Sequence, residues 1–166
     1  MLYVQHDSSG IAGTLPEEWR RASLDIFASV EIDAEVRRVM YALAIPEYME
    51  AWLQLPEADR IECHSDRGSF DKFRIDFFSA GVWQGRINGS CLLSKPNRIT
   101  YVWERAQAGS GGKSMVEIHL WGNLNCTLKL KHSGLGNRTE SEWHSTMWQR
   151  SLDKLCGLMA GVGIAV

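Results

Sequence analysis

The chain has 166 residues, 45% of them hydrophobic and 23% charged, with a formal net charge of −2. That length suits one domain that buries its core without disulfide or metal staples. The charge balance offers neither the basic face that nucleic acid selects nor the polybasic run that an anionic membrane attracts, so both partner classes are set aside.

The opening "MLYVQHDSSGIAGTLPEEWR" has no basic n-region and no continuous apolar h-region, so it does not read as a secretory signal, and no stretch is apolar enough to span a bilayer. A cytoplasmic protein is expected, in which "NGS" at 88–90 and "NRT" at 137–139 carry no glycan. Cys63, Cys91, Cys126 and Cys156 are widely spaced without a CxxC pair, and read as reduced small hydrophobes. Residues 1–20, with Gly10, Gly13 and Pro16, form a partly irregular leader with at most one short element in "PEEWRR".

In "ASLDIFASVEID" the apolar residues Leu24, Ile26, Ala28, Val30 and Ile32 alternate with Asp25, Phe27, Ser29 and Glu31, which predicts a half-buried strand. The period then changes. Val36, Val39, Met40 and Leu43 stand at i, i+3, i+4 and i+7, an amphipathic helix for which Asp33 is the expected N-cap. Pro46 stops that helix and opens a second short one, "PEYMEAWL", ending near Trp52. From about 58 to 132 the runs "RIECH", "FDKFRIDFF", "VWQGRINGSCLL", "RITYVWERA", "SMVEIHLW" and "NCTLKLKH" read as strands. They are separated by "SDRGS", "SAG", "SKPN", "AGSGGK" and "GNLN". Short turns imply consecutive antiparallel pairing, with one apolar face and one polar face. Gly85 and Gly89 in "GRING" suggest a bulge or bend that helps the sheet curl.

Helical period returns near residue 139. Thr139 and Glu142 fit a capping box, and Trp143, Met147, Trp148, Leu152, Leu155 and Met159 line one broad face; Gly157 weakens the helix, and Gly161 and Gly163 end it. At 1.5 Å per residue such a helix is roughly 30 Å long, the one element able to cover the apolar face of a single sheet. The fold class is therefore α+β. Strand, two short helices, six strands and a long helix build a curved antiparallel sheet of about seven strands wrapped on that helix, the short helices covering one end.

That order, with "IDAEVRRVMYALAIPEYMEAW", "GRINGSCLLSKPNRITYVWE", "TLKLKHSGL" and "MWQRSLDKL" at matching positions, resembles the helix-grip START and birch-pollen-allergen superfamily. Within it the chain is similar to the heat-shock-chaperone ATPase activator homologue-like branch, grouped with polyketide cyclase-like proteins. The resemblance covers about residues 22–160 and implies a helix-grip domain over 21–166 with an internal cavity. The chain departs from the family pattern at Glu35, where proline is frequent, at Met40, where tryptophan is frequent, and at Met147, where glycine is usual. These positions alter cavity shape more than fold. The activator itself carries a further N-terminal domain, so chaperone activation is not carried over beyond family analogy.

The histidines are His6, His64, His119, His132 and His144. No HxxxH, HExxH or CxxC pattern gives a metal set, "CH" at 63–64 points to opposite faces of a strand, and no GxSxG elbow or phosphate-cradling loop occurs. No cofactor and no catalytic residue is therefore assigned. His132 and Tyr101 have inward parity and could tune a proton transfer in a cavity, or, for His132, bond a backbone group at the strand–helix junction.

Inward parity gives a candidate ligand lining of Trp52, Phe73, Ile75, Phe77, Ile87, Cys91, Tyr101, Trp103, Ile118, Leu128, Leu130, His132, Trp148 and Leu152, with Trp143 at the rim and His144 toward solvent. The expected function is binding of a small apolar or lipid-like molecule. The alternatives are a cyclase- or hydrolase-like enzyme in the same cavity, or a chaperone-associated interaction module. Phe27, Leu92, Val102 and Trp121 have outward parity, and a contiguous patch of them would support a homodimer.

Overall fold

In the computed structural model, residues 3–5, 24–66, 69–106 and 112–161 are described. Strand β1 (Tyr3–Gln5) precedes β2 (Ile26–Ile32); helices α1 (Val36–Ala44) and α2 (Pro46–Trp52) follow. Next come β3 (Arg60–Asp66), β4 (Ser69–Ser79), β5 (Val82–Lys95), β6 (Arg98–Ala106), β7 (Lys113–Gly122) and β8 (Cys126–Ser133), and the chain closes on α3 (Arg138–Ala160). One eight-stranded sheet results, in the order β1-β2-β8-β7-β6-β5-β4-β3. Every pairing is antiparallel. The expected sheet of about seven strands thus gains one from within the leader. Three residues, Tyr3 to Gln5, pair with Phe27 to Ser29, a segment too short to show a period. The element expected in "PEEWRR" and the cap at Gly163 lie outside the described residues.

Alternation decides which face is buried. Ile26, Ala28, Val30 and Ile32 on β2, and Val116, Ile118 and Leu120 on β7, point inward and are all but inaccessible, as are Leu128 and Leu130 on β8. Leu152, Leu155 and Met159 of α3 meet them. Between β4 and β5, Ala80 (φ 50°) and Gly81 (φ 78°) form the two-residue connection; positive φ at both positions is what a type I′ hairpin turn requires.

The glycines of β5 have a specific use. Gly89 faces Phe73 and Gly85 faces Phe77 across the strand pair. A Cβ on Gly85 would stand 2.6 Å from Phe77 Cζ, and one on Gly89 would overlap the Phe73 ring. The two rings therefore lie flat over bare backbone. A register shift between Phe77 and Phe78, close to Gly85, supplies the expected irregularity; at Gly89 the pairing is regular, so that glycine serves ring packing.

Helices α1 and α2 share Ile45, held extended by the following proline. The N-cap of α1 is Glu35, without a side-chain bond, rather than the expected Asp33. The pair is fastened down by the Trp52 Nε1 bond to the Ala42 carbonyl (3.0 Å), by Tyr101 Oη donating to the Leu43 carbonyl, and by Gln54 N–H donating to Ser151 Oγ (2.8 Å). The cap of α3 is Asn137, whose Oδ1 accepts from Glu140 N–H at 2.9 Å. The expected Thr139–Glu142 box is displaced by two residues because asparagine, an equally good cap, precedes it. Gly161 caps the far end. No helix among the described residues is long and apolar enough to cross a membrane.

Candidate functional site

His132 sits at the centre of the grip with none of its surface exposed. Trp148 Nε1 lies 3.0 Å from its Nδ1, and Ser114 Oγ 2.8 Å from its Nε2. An indole N–H can only donate, so Nδ1 is the lone-pair nitrogen and Nε2 carries the hydrogen. Nε2–H donates to Ser114 Oγ, which donates in turn to the Trp103 carbonyl at 3.1 Å. The network is complete: each polar atom of the imidazole has one partner. Burial, reinforced by the neighbouring His144, holds its pKa well below the ordinary value. The ring is neutral and structural, bonded to side chains of β7 and α3 rather than to a backbone group.

Tyr101 is equally engaged. Its hydroxyl is spent on the Leu43 carbonyl, and burial raises its pKa well above the usual value. Tyr101 pairs with Val116, and Val116 with His132, so the two polar residues are separated by β7, an inter-strand distance of about 10 Å. An acid–base pair needs free polar atoms converging on one reacting group. These two have none to spare.

The candidate lining residues sit as follows. Trp52 belongs to α2. Phe73, Ile75 and Phe77 are on β4, Ile87 and Cys91 on β5, Tyr101 and Trp103 on β6 and Ile118 on β7. Leu128, Leu130 and His132 are on β8, and Trp143, Trp148 and Leu152 on α3. All belong to or pack against one core, and all are buried except Cys91 and Trp143, which are half-buried. Their aromatic rings are joined. Phe73 meets Tyr101 and Trp103 edge-on at centroid distances of 5.7 and 6.2 Å, Trp103 meets Trp148 at 5.8 Å, and Phe77 meets Trp143 at 6.4 Å. His132 and His144, 4.7 Å apart, connect the two groups through Trp148 and Trp143.

Neither of two cavities found among the described residues is the internal one expected between sheet and α3; both are open and lined almost entirely by other residues. A groove of about 690 Å³ runs along β3–β5, lined chiefly by polar groups including His64, Asp66, Lys72, Arg74 and Arg86; of the candidate lining only Phe73 reaches it. A smaller one of about 240 Å³ lies among Arg38, Tyr41, Tyr48 and Met159, where α1 and α2 meet the end of α3.

At the β6 end of the grip lies a polar group that the sequence analysis did not identify. Arg105 is 7% exposed. Its Nη1 is 3.2 Å from Glu140 Oε1, and its guanidinium carbon lies 3.8 Å over the Trp143 ring. His144, expected in solvent, is 2% exposed, its Nδ1 2.8 Å from the Glu140 carbonyl oxygen. Burial pushes its pKa down to about 4. Both residues had a readable signal. Arg105 has the inward parity of Tyr101 and Trp103, and His144 stands four residues before Trp148, hence on the same helix face.

Among the described residues, no three His, Cys, Asp or Glu side chains group closely enough to hold a metal ion. Phe27, Leu92 and Trp121 are exposed as their parity predicts, while Val102 is half-buried.

Solved structures share this architecture. Protein CV1439 from Chromobacterium violaceum superposes with a TM-score of 0.72 at 22% identity, covering 82% of this chain and 97% of its own. CalU16 from Micromonospora echinospora gives 0.59 at 24% identity, covering 82% and 76%. A START superfamily protein from Mycobacterium smegmatis gives 0.59 at 12% identity, covering 81% and 96%. At these identities the likeness establishes the fold, a START-like helix grip. No family model matches the chain, and no curated protein matches its sequence.

Proposed function

We propose that the protein binds a small, largely apolar or lipid-like molecule between the sheet and α3, and belongs to the activator-homologue-like and polyketide cyclase-like branch of the START-like proteins. The observation that supports this most is the connected aromatic surface from Tyr101 and Phe73 through Trp103 and Trp148 to Trp143, which is buried along its length and half-exposed at Trp143. Such a surface offers a flat or elongated ligand large contact area at low entropic cost. The internally bonded His132 and Tyr101 act as walls and supports in this reading.

Native mass spectrometry of freshly purified protein, joined to titration with a fluorescent apolar probe, tests it. A co-purifying small molecule or saturable one-to-one probe binding quenching tryptophan emission is expected. Absence of saturable binding by any apolar probe to the folded protein overturns it.

A further inference from the structure

Outside the grip, α1 and α2 form a cleft with the end of α3. Arg37, Arg38 and Tyr41 of α1, Tyr48 of α2 and Met159 of α3 line about 240 Å³, with Glu35 at the rim. None of the candidate lining between sheet and α3 reaches it. An occupant of the cleft therefore does not depend on a ligand between sheet and α3.

Helical period explains the apolar walls. Val39, Met40, Ala42 and Leu43 carry α1 into the core. Tyr41 turns away from that face and meets Tyr48 of α2, ring centroids 5.4 Å apart. It stays 45% exposed, a large ring that the fold leaves uncovered. Two phenol rings and the Met159 thioether offer good packing to another aromatic ring. The volume lies below the roughly 300–1,000 Å³ of drug-sized sites, so it suits a smaller ligand.

The rim sets the sign of that ligand. Among the described residues, neither Arg37 nor Arg38 is in an ion pair. Glu35 is the one acid that lines the cleft, and the first turn of α1 holds none. The glutamates of α2 are committed to β3: Glu50 Oε1 accepts from Cys63 N–H, and Glu47 Oε1 from Ser65 Oγ, each at 2.6 Å. They fasten α2 to the sheet and leave the two arginines uncompensated. A guanidinium fork matches a carboxylate in shape as well as charge. A cationic ligand meets repulsion there, and a hydrocarbon leaves both forks unused. Glu35, beside the arginines, opposes a second negative charge and so favours a carboxylate over a phosphate.

We propose that this cleft binds a small aromatic carboxylate, its ring between Tyr41, Tyr48 and Met159 and its charge held by Arg37 and Arg38.

Titration of the 166-residue chain at neutral pH tests this. The readout is NMR of the Met159 methyl and of the backbone amides of α1 and α2. The probes are phenylacetate, its neutral isostere phenylacetamide, and phenyl phosphate. A fragment of this size should bind with a Kd of about 1 mM. Phenylacetate should bind about fivefold more tightly than phenylacetamide, the worth of a partly exposed ion pair. That advantage should shrink as ionic strength rises. In Arg37→Gln and in Arg38→Gln it should fall toward one, while phenylacetamide binding is unchanged. Arg37 is exposed, so its variant stays informative if the other fails to fold. Tyr41→Ala should weaken both ligands alike. The proposal is overturned if phenylacetate gives no saturable shift at Met159, or if phenylacetamide binds as tightly. Tightest binding by phenyl phosphate, or a preference that survives in both folded arginine variants, also overturns it. So does binding that appears only when residues 162–166 are deleted, because the chain's own end would then be the occupant.

Discussion

The inner surface of the sheet has two unlike halves. Under β2, β7 and β8 it is aliphatic: Ile26, Val30, Ile32, Ile118, Leu120, Leu128 and Leu130 close on α3 with almost no accessible surface. Under β4, β5 and β6 aromatic rings join the isoleucines Ile75, Ile87 and Ile99: Phe73, Phe77 and Trp103 lie over or beside glycine backbone, and the face ends in Arg105, Trp143 and His144, whose polar atoms the other described residues do not fully satisfy. His132 stands on the boundary, bonded to both Trp148 and Ser114. Branched aliphatic side chains pack in few ways and favour one rigid arrangement, whereas flat rings can slide and admit another flat molecule. The first half therefore holds the fold in one packing, and the second is where the ligand proposed above between sheet and α3 would be received.

The largest effect separates the halves most directly. Leu128 is wholly buried in the aliphatic half. Leu128→Ala should destabilise by about 4 kcal/mol, through lost burial and the cavity left behind, measured by urea unfolding. Affinity of the folded fraction for an apolar probe should stay within about twofold if the ligand is held by the aromatic surface and not by Leu128, a member of the candidate lining, because sites without shared partners act additively. A parallel loss of affinity would show the two halves to be one mechanical unit.

Next in size is the pH dependence of the polar boundary. Both His132 and His144 have lowered pKa values in the folded state, so the folded protein takes up protons later than the unfolded chain does. Stability should be level above the unfolded value of about 6.5 and fall as pH drops through it, until the folded values are passed. With His144 at about 4 in the fold, its share of the loss at pH 5 is about 2 kcal/mol, and His132 adds in the same direction. The lowered carboxyls of Asp76 and Glu47 contribute only at more acid pH, below their own usual range. Denaturation midpoints between pH 7.5 and 5 check this; His144→Gln should flatten the curve, and an unchanged wild-type midpoint would contradict the burial of both rings.

Much of this contrast could be read in the sequence, because strand parity is a local property. Leu128, Leu130 and His132 face inward for the same reason that Ile26 and Val30 do, and no tertiary information is needed to see it. Helix ends were less legible. Asn137 and Thr139 both suit an N-cap, and the structure takes the first, whose Oδ1 accepts from Glu140 N–H. His144 and Arg105 were missed although period placed them inside, because their polarity suggested solvent. Their burial depends on Glu140 and Trp143 lying within reach, one strand and one helix turn away, and such pairings are settled only when the sheet has curled. Whether rings such as Phe73 and Trp103 merely pack or also enclose a ligand depends on rotamers that parity leaves open.

The smallest expected effects come from one substitution made at two tryptophans five residues apart on α3. Trp148→Phe removes the only donor to His132 Nδ1 among the described residues and leaves a buried lone pair unmatched. It should cost about 1–3 kcal/mol in urea unfolding. Trp143→Phe removes an indole N–H that no group among the described residues accepts and keeps the ring against Phe77 and beneath Arg105. Its cost should stay below about 0.5 kcal/mol, since the change deletes an unmet donor and little packing. The asymmetry follows from the hydrogen-bond partners alone, because both side chains are indoles on one helix. If Trp143→Phe costs as much as Trp148→Phe in the ligand-free protein, Trp143 Nε1 has a protein partner after all, and the end of the grip is as closed a core as its aliphatic half.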